Sequence, residues 1–263
     1  MKQQLSSYGS SIMRIAYAVP GPMSKGPMGR AEVTRREKLL NSWAFEGTTV
    51  EVRDVATGPA SIESAYEEAL SIPPTLDLLM QLENEGYDAA IIGCFGDPGI
   101  EAARELVSMP VVGPCESSML LAASLGHKFS VLTLFDSLIA GQEYLAVRAG
   151  VREKLASVRA TGIPVLSLMT DVDATKARLV EVSSECVEQD RADAVIFGCM
   201  TMSFLDMADE ISASVGVPFI NAGKTALKQA ETLVSMGLSH SKTAFATPPK
   251  VSDGQTVADL KVG

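Results

Sequence analysis

Histidine is nearly absent from this chain of 263 residues. Its two copies are His127 and His240, and neither stands near a cysteine or carboxylate at metal-ligand spacing. Both read as lone surface or core residues, which leaves no convincing partner for a Cys-His catalytic pair. Cysteine is sparse as well. Positions 94, 115, 186 and 199 contain no Cys-x-x-Cys pair, which excludes the usual zinc and dithiol redox frameworks. Basic charge is short: 22 Lys and Arg face 32 Asp and Glu, a formal net charge of −10. Nucleic acid and anionic membrane both need clustered basic residues, so neither is an expected partner, and the acidity reads as a device for solubility. No apolar run approaches the ~18 residues of a membrane span. Met1–Ser11 is polar and lacks a signal-peptide core. The expected location is the cytoplasm, where thiols stay reduced. A Gly-x-Gly-x-x-Gly phosphate loop is also missing from the first strand-helix junction, because Gly21, Gly26 and Gly29 have the wrong spacing. Residues 20–30 read instead as a flexible lid over a cleft or a plain connector.

What the chain does have is a repeated phrase. Asp88-Ala89-Ala90-Ile91-Ile92-Gly93-Cys94 returns as Asp193-Ala194-Val195-Ile196-Phe197-Gly198-Cys199. Each copy is an apolar run of strand length that ends at Gly-Cys and opens a helix-like stretch. The repeat predicts two similar lobes, each presenting one thiol at the end of a strand. Around it, strands are expected at 12–19, 48–55, 110–113, 129–134, 164–168 and 217–221. Helices are expected at 31–45, 62–70, 74–85, 98–108, 116–125, 137–149, 173–189, 204–214 and 224–235, with Pro73-Pro74 separating the second from the third. Strands alternating with helices imply parallel sheets under helical cover, with ligands bound beyond the carboxyl ends of the strands. The expected fold is therefore α/β: two pseudo-symmetric lobes, each a mainly parallel sheet flanked by helices, with the active site in the cleft between them. Residues 12–113 and 222–245 would form the first lobe and 114–221 the second, with 1–11 and 246–263 as flexible tails.

Two thiols across a cleft can take a proton from one face of a carbon and return one to the other face. Cys94 is followed by Phe95-Gly96-Asp97-Pro98-Gly99, a tight turn whose backbone N–H groups can point at an anion. A helix beginning near Pro98 would add its positive end, so the thiol pKa is expected to be lowered. Cys199 is followed by Met200-Thr201-Met202-Ser203, whose hydroxyls can cap a helix or touch a ligand. The two methionines suit packing. Phe95, Gly96, Met200, Thr201 and Glu116 are candidates for contact with a substrate. Cys186 falls on an apolar helix face and reads as core, whereas Cys115 stands between a strand and a helix without a counterpart in the repeat. A Cys-Glu-Lys amidase stays open on these residues, since its members need not be close in sequence.

Gly93-Cys94-Phe95-Gly96-Asp97-Pro98-Gly99 resembles a motif of the aspartate/glutamate/hydantoin racemase superfamily, in its hydantoin and allantoin racemase branch. Ile62-Glu63-Ser64-Ala65-Tyr66, Ser157-Val158-Arg159-Ala160-Thr161-Gly162 and Gly237-Leu238 agree with it. The resemblance runs from about Ile12 to Pro249. It implies a two-base racemase that needs neither cofactor nor metal, with Cys94 and Cys199 as base and acid, a hydantoin-like small-molecule substrate inverted at C5, and a homo-oligomer. Other chemistries of the same superfamily are maleate-type cis-trans isomerisation, amino-acid racemisation and decarboxylation. A non-catalytic binding protein is the alternative of a different class. Three motifs depart from the family pattern. Val19-Pro20-Gly21 stands where a ligand-holding Asn-Pro-Asn is usual, so the resemblance implies Val19 and Pro20 as further substrate contacts; Met200-Thr201-Met202 stands where Ala-Gly-Met follows the second cysteine, and Asn221-Ala222 where Asp-Gly is common. The reaction class is therefore indicated more firmly than the substrate.

Overall fold

Short strands rich in Ala, Ile and Val form wherever both faces are to be covered, and in this protein they assemble into two separate parallel sheets. The computed structural model describes residues 12–252. The first sheet holds β1 (Met13–Val19), β2 (Thr48–Asp54), β3 (Ala89–Ile92) and β4 (Val111–Val112) in the order β2-β1-β3-β4. The second holds β5 (Phe129–Thr133), β6 (Leu155–Ala160), β7 (Ala194–Phe197) and β8 (Phe219–Ile220) in the order β6-β5-β7-β8. Every neighbouring pair is parallel. The two repeated segments thus become β3 and β7, which hold equivalent places in the two sheets.

Ten helices of the described residues surround them: α1 (Gly29–Trp43), α2 (Ala65–Asn84), α3 (Ile100–Leu106), α4 (Pro114–Leu125), α5 (Ile139–Arg148), α6 (Val172–Glu188), α7 (Met200–Ser203), α8 (Ala208–Val215), α9 (Ala222–Ser235) and α10 (Pro249–Ser252). Strand alternation sorts the cores. On β1, Ile15, Tyr17 and Val19 join a cluster that also contains Phe129 and Ile196 of the second sheet, together with residues of α1, α4 and α9. Ala16 and Ala18 face the opposite way, towards Leu78, Leu79 and Leu82 of α2. On the second sheet, Val195 and Phe197 meet Leu179, Val182 and Cys186 of α6 and Ile211 of α8. A continuous core therefore links the two sheets, and each buried leucine or isoleucine in it contributes roughly 1.5–3 kcal/mol. The last long helix, α9, follows the second sheet in sequence but packs on β1, β3 and β4 of the first.

The structure departs from the sequence expectations at five places. The segments 62–70 and 74–85 are one helix, α2, with Pro73 and Pro74 inside it. The carbonyls that lose partners belong to Ala69 and Leu70, which are exposed and can be solvated. The strand expected at 164–168 is a short 3-10 turn, Val165–Ser167, and the edge strand is β6 at Leu155–Ala160. Only Leu155 and Val158 of β6 are buried, and Arg159 is tied to Glu185 and Asp190, so its apolar pattern is weak. The helix expected at 98–108 starts at Ile100, because Asp97 (φ 50°) and Gly99 (φ 68°) are both left-handed and place Pro98 inside a turn. The helix expected at 204–214 starts only at Ala208 as α8, after the separate short α7, with Asp206 at φ 57° between them. Within the expected tail 246–263, residues Pro249–Ser252 are helical, and 253–263 lie outside the described residues, as do 1–11.

Candidate active site

The Gly-Cys ending of each repeat has a steric cause. Gly93 donates its N–H to Ala18 O at 2.7 Å, and Gly198 donates to Leu132 O at 2.8 Å. A Cβ on Gly93 would lie 2.7 Å from Cε1 of Tyr17 and 3.0 Å from Ala18 O, and one on Gly198 would lie 2.5 Å from Leu132 O. Only glycine allows the neighbouring strand this close, and each strand then delivers the next residue, a cysteine, beyond the sheet edge. Ala18 pairs with Ile92, and Leu132 pairs with Phe197, so Cys94 and Cys199 leave their sheets at matching heights.

Both cysteines open into one cleft. Val19, Pro20, Phe95, Gly96, Met200 and Thr201 line it with them. Glu116 does not line it. Its carboxylate is held by Arg104, its N–H binds Asp97, and it sits behind the Cys94 turn. Cys115 is buried with its thiol against Met119, and Cys186 is buried in the core of α6. The histidines are remote from the cleft: His127 is exposed, and His240 accepts the Val111 N–H. Burial holds His240 down to about 4.

Several cleft residues carried no signal in the sequence. Met23, Met28, Leu134, Leu138 and Val165 make the walls largely apolar, while Arg36, Glu68 and Gln142 are polar. The Gln142 Oε1 is buried without a partner. Beneath the cleft, Tyr17 is fully buried and faces Arg36, and burial raises its hydroxyl above its ordinary pKa. Phe204 meets the Tyr17 ring edge-on at 5.4 Å and carries the Arg36 guanidinium over its face at 4.7 Å.

The electrostatics overturn one expectation. Burial pushes the Cys94 thiol up, opposed by the Gly96 N–H and reinforced by Glu68, Cys199 and Asp97. Burial also raises Cys199, against the N–H groups of Met202 and Thr201 and the charge of Arg36. The expected lowering at Cys94 fails because the helix end is displaced to Ile100 and desolvation outweighs the turn's N–H dipoles. Burial raises Glu68 as well, with Arg148 opposing. The cleft therefore holds two thiols, a carboxyl that burial raises above its ordinary range and one buried guanidinium.

Residues 27–230 match the family model described as Asp/Glu/Hydantoin racemase. A hydantoin racemase of Pseudomonas sp. (strain NS671) is 38% identical over 206 residues, covering 78% of this chain and 82% of that protein. The crystal structure of allantoin racemase from Pseudomonas fluorescens superposes with a TM-score of 0.83 at 29% identity, over 90% of this chain and 97% of that one. Allantoin racemase from Klebsiella pneumoniae gives 0.82 at 28% identity, over 90% and 94%. This chain belongs to the Asp/Glu/hydantoin racemase family.

Proposed function

We propose that this protein is a cofactor-independent racemase that inverts C5 of a 5-substituted hydantoin. The observation that carries the reading is the delivery of two Gly-Cys strand ends into a single cleft. One cysteine, as thiolate, removes the C5 proton. The electrons pass into the adjacent carbonyl, where backbone N–H groups after the cysteines meet the developing enolate oxygen. The other cysteine, as thiol, protonates C5 from the opposite face. Because burial raises both thiols, the thiolate is a minority form of the free enzyme and inversion quickens as pH rises. The walls of Met23, Met28, Leu134, Leu138 and Val165, with Val19-Pro20-Gly21 in place of two asparagines, suit an apolar C5 substituent better than a ureido group. The unpartnered Gln142 Oε1 is an acceptor for a ring N–H. Free thiols suit a reducing compartment such as the cytoplasm, and the family resemblance supports a homo-oligomer.

The test is incubation of single-enantiomer 5-substituted hydantoins, including allantoin, in D2O, followed by proton NMR and circular dichroism against the no-enzyme rate. Deuteration at C5 with loss of optical signal is expected, fastest for apolar substituents. Cys94→Ala and Cys199→Ala should each slow inversion by about 10²–10⁴-fold. Each can retain hydrogen exchange with one enantiomer, because one base still works on one face. Full inversion in either variant, or no exchange with any hydantoin, overturns the reading.

A further inference from the structure

The two thiols are alike in sequence but unlike in their electrical surroundings. Behind Cys199 stands α1. Its Arg36 is 2% exposed and donates from Nη2 to Thr201 Oγ1 at 3.0 Å. Glu32 accepts from Arg36 Nε at 2.7 Å and also from Arg35 at 2.7 and 2.8 Å. One carboxylate thus answers two guanidiniums, Arg36 buried and Arg35 partly exposed, so Glu32 does not neutralise Arg36 alone and positive charge remains beside the Cys199 turn. Cys94 faces the opposite sign. A Cβ on Gly96 would lie 3.2 Å from Glu68 Oε2 and 3.8 Å from Cys94 Sγ, so carboxyl and sulfur border the same spot. Asp97, fully buried, closes the same turn. Arg148 of α5 is the cation on that side, and its Nη2 reaches Asp97 Oδ2 at 3.6 Å.

We propose that Arg36, acting through Thr201, makes Cys199 the first of the two thiols to ionise, while Glu68 keeps Cys94 protonated. The resting enzyme then holds its base on the second sheet and its acid on the first. Burial raises both thiols, but two backbone N–H groups, Arg36 and the Thr201 hydroxyl oppose it at Cys199, whereas at Cys94 the Gly96 N–H opposes it and Glu68, Cys199 and Asp97 add to it.

The protons balance. Cys199 first loses its proton to solvent, and its thiolate then takes the proton from C5. Cys94 gives its S–H proton to the other face, so the product leaves Cys94 as thiolate and Cys199 as thiol. A proton passing from Cys199 to Cys94 through solvent resets the enzyme. Arg36 and Glu68 are positioning residues in this scheme, since they act through the two sulfurs.

The proposal rests on the two-thiol reading, yet its test needs no substrate, so failure of one is separable from failure of the other. Iodoacetamide labelling of each cysteine is followed by mass spectrometry across a pH series, with circular dichroism as the check on folding. Labelling of Cys199 should rise at lower pH than labelling of Cys94. Arg36→Lys, and Thr201→Val should the lysine variant not fold, should cut the Cys199 thiolate at a fixed pH about tenfold. Glu68→Gln should move the Cys94 curve to lower pH and leave that of Cys199 in place. Thiolate ultraviolet absorbance in Cys94→Ser and Cys199→Ser reads the same order if alkylation is slow. Coincident curves, Cys94 ionising first, or a Cys199 curve unmoved by Thr201→Val would overturn the proposal. A merely structural Arg36 would lower the melting temperature and move neither curve.

Discussion

At the scale of single residues, both ends of the repeated phrase do the same work in each sheet. Asp88 Oδ2 accepts the Arg14 N–H at 2.7 Å at the foot of β1. Asp193 Oδ2 accepts the His127 and Lys128 N–H groups at 2.7 and 2.9 Å at the foot of β5. Gly93 and Gly198 close the other end against the same neighbouring strands. The aspartate fixes where pairing starts, and the glycine lets the strand leave with its cysteine beyond the sheet. Gly93→Ala and Gly198→Ala should each cost about 1–3 kcal/mol, because the added methyl meets a buried ring or a backbone carbonyl with no room to yield. Urea denaturation of each variant measures this, and a loss within experimental scatter would contradict the steric account.

At the scale of elements, the Cys94 turn and α4 are one unit, joined by Asp97. Its Oδ1 accepts the Cys115 N–H at 3.0 Å and its Oδ2 the Glu116 N–H at 2.9 Å, so it serves the first turn of a helix whose own N-cap residue, Gly113, has no side chain. Burial raises the Asp97 carboxyl from 3.8 to about 7, against those two bonds. Between these pH values the folded protein binds a proton that the unfolded chain has released. The Asp97 contribution therefore falls as pH rises through that window, by at most about 1.4 kcal/mol per pH unit. Buried His240 works in the opposite sense, since it must stay neutral below its ordinary pKa of 6.5. The measurement is thus the difference between wild type and Asp97→Asn in urea denaturation from pH 4 to pH 7. Wild type should lose stability relative to the variant as pH rises, and a constant difference would exclude a titrating Asp97.

At the scale of the molecule, the sheets share a core but the cleft is closed by single contacts. Glu63 Oε1, in the loop before α2, accepts the Val165 N–H at 2.6 Å from the far side. Arg35 donates to Phe204 O at 2.8 Å deeper down. Glu63 stands in the loop before α2 and in none of the core clusters, so its bond acts on cleft closure more than on folding. Glu63→Ala should raise KM roughly fivefold, the equivalent of one net hydrogen bond of about 1 kcal/mol, and leave the melting temperature near wild type. A large fall in melting temperature with KM unchanged would assign the bond to stability instead.

The sequence by itself determined what short-range chemistry can encode. Apolar strand runs bounded by Gly and Pro, the alternation of strands with helices, and the twice-written Gly-Cys specified two parallel sheets and two thiols at their edges. These signals are local, because a strand's period and a glycine's missing Cβ act on immediate neighbours. Polar edges and punctuation misled where tertiary contacts overrode them: β6 hides its buried positions among Ser157 and Arg159, and α2 carries two prolines because the carbonyls they orphan face solvent. Only the tertiary structure decided the rest. It brought Arg36, Glu68, Tyr17 and Gln142 to the thiols from four different elements, and it set Glu116 aside with Arg104. It also reversed the expected sign at Cys94, since the cost of desolvating a charge depends on everything packed around it, which no stretch of sequence contains.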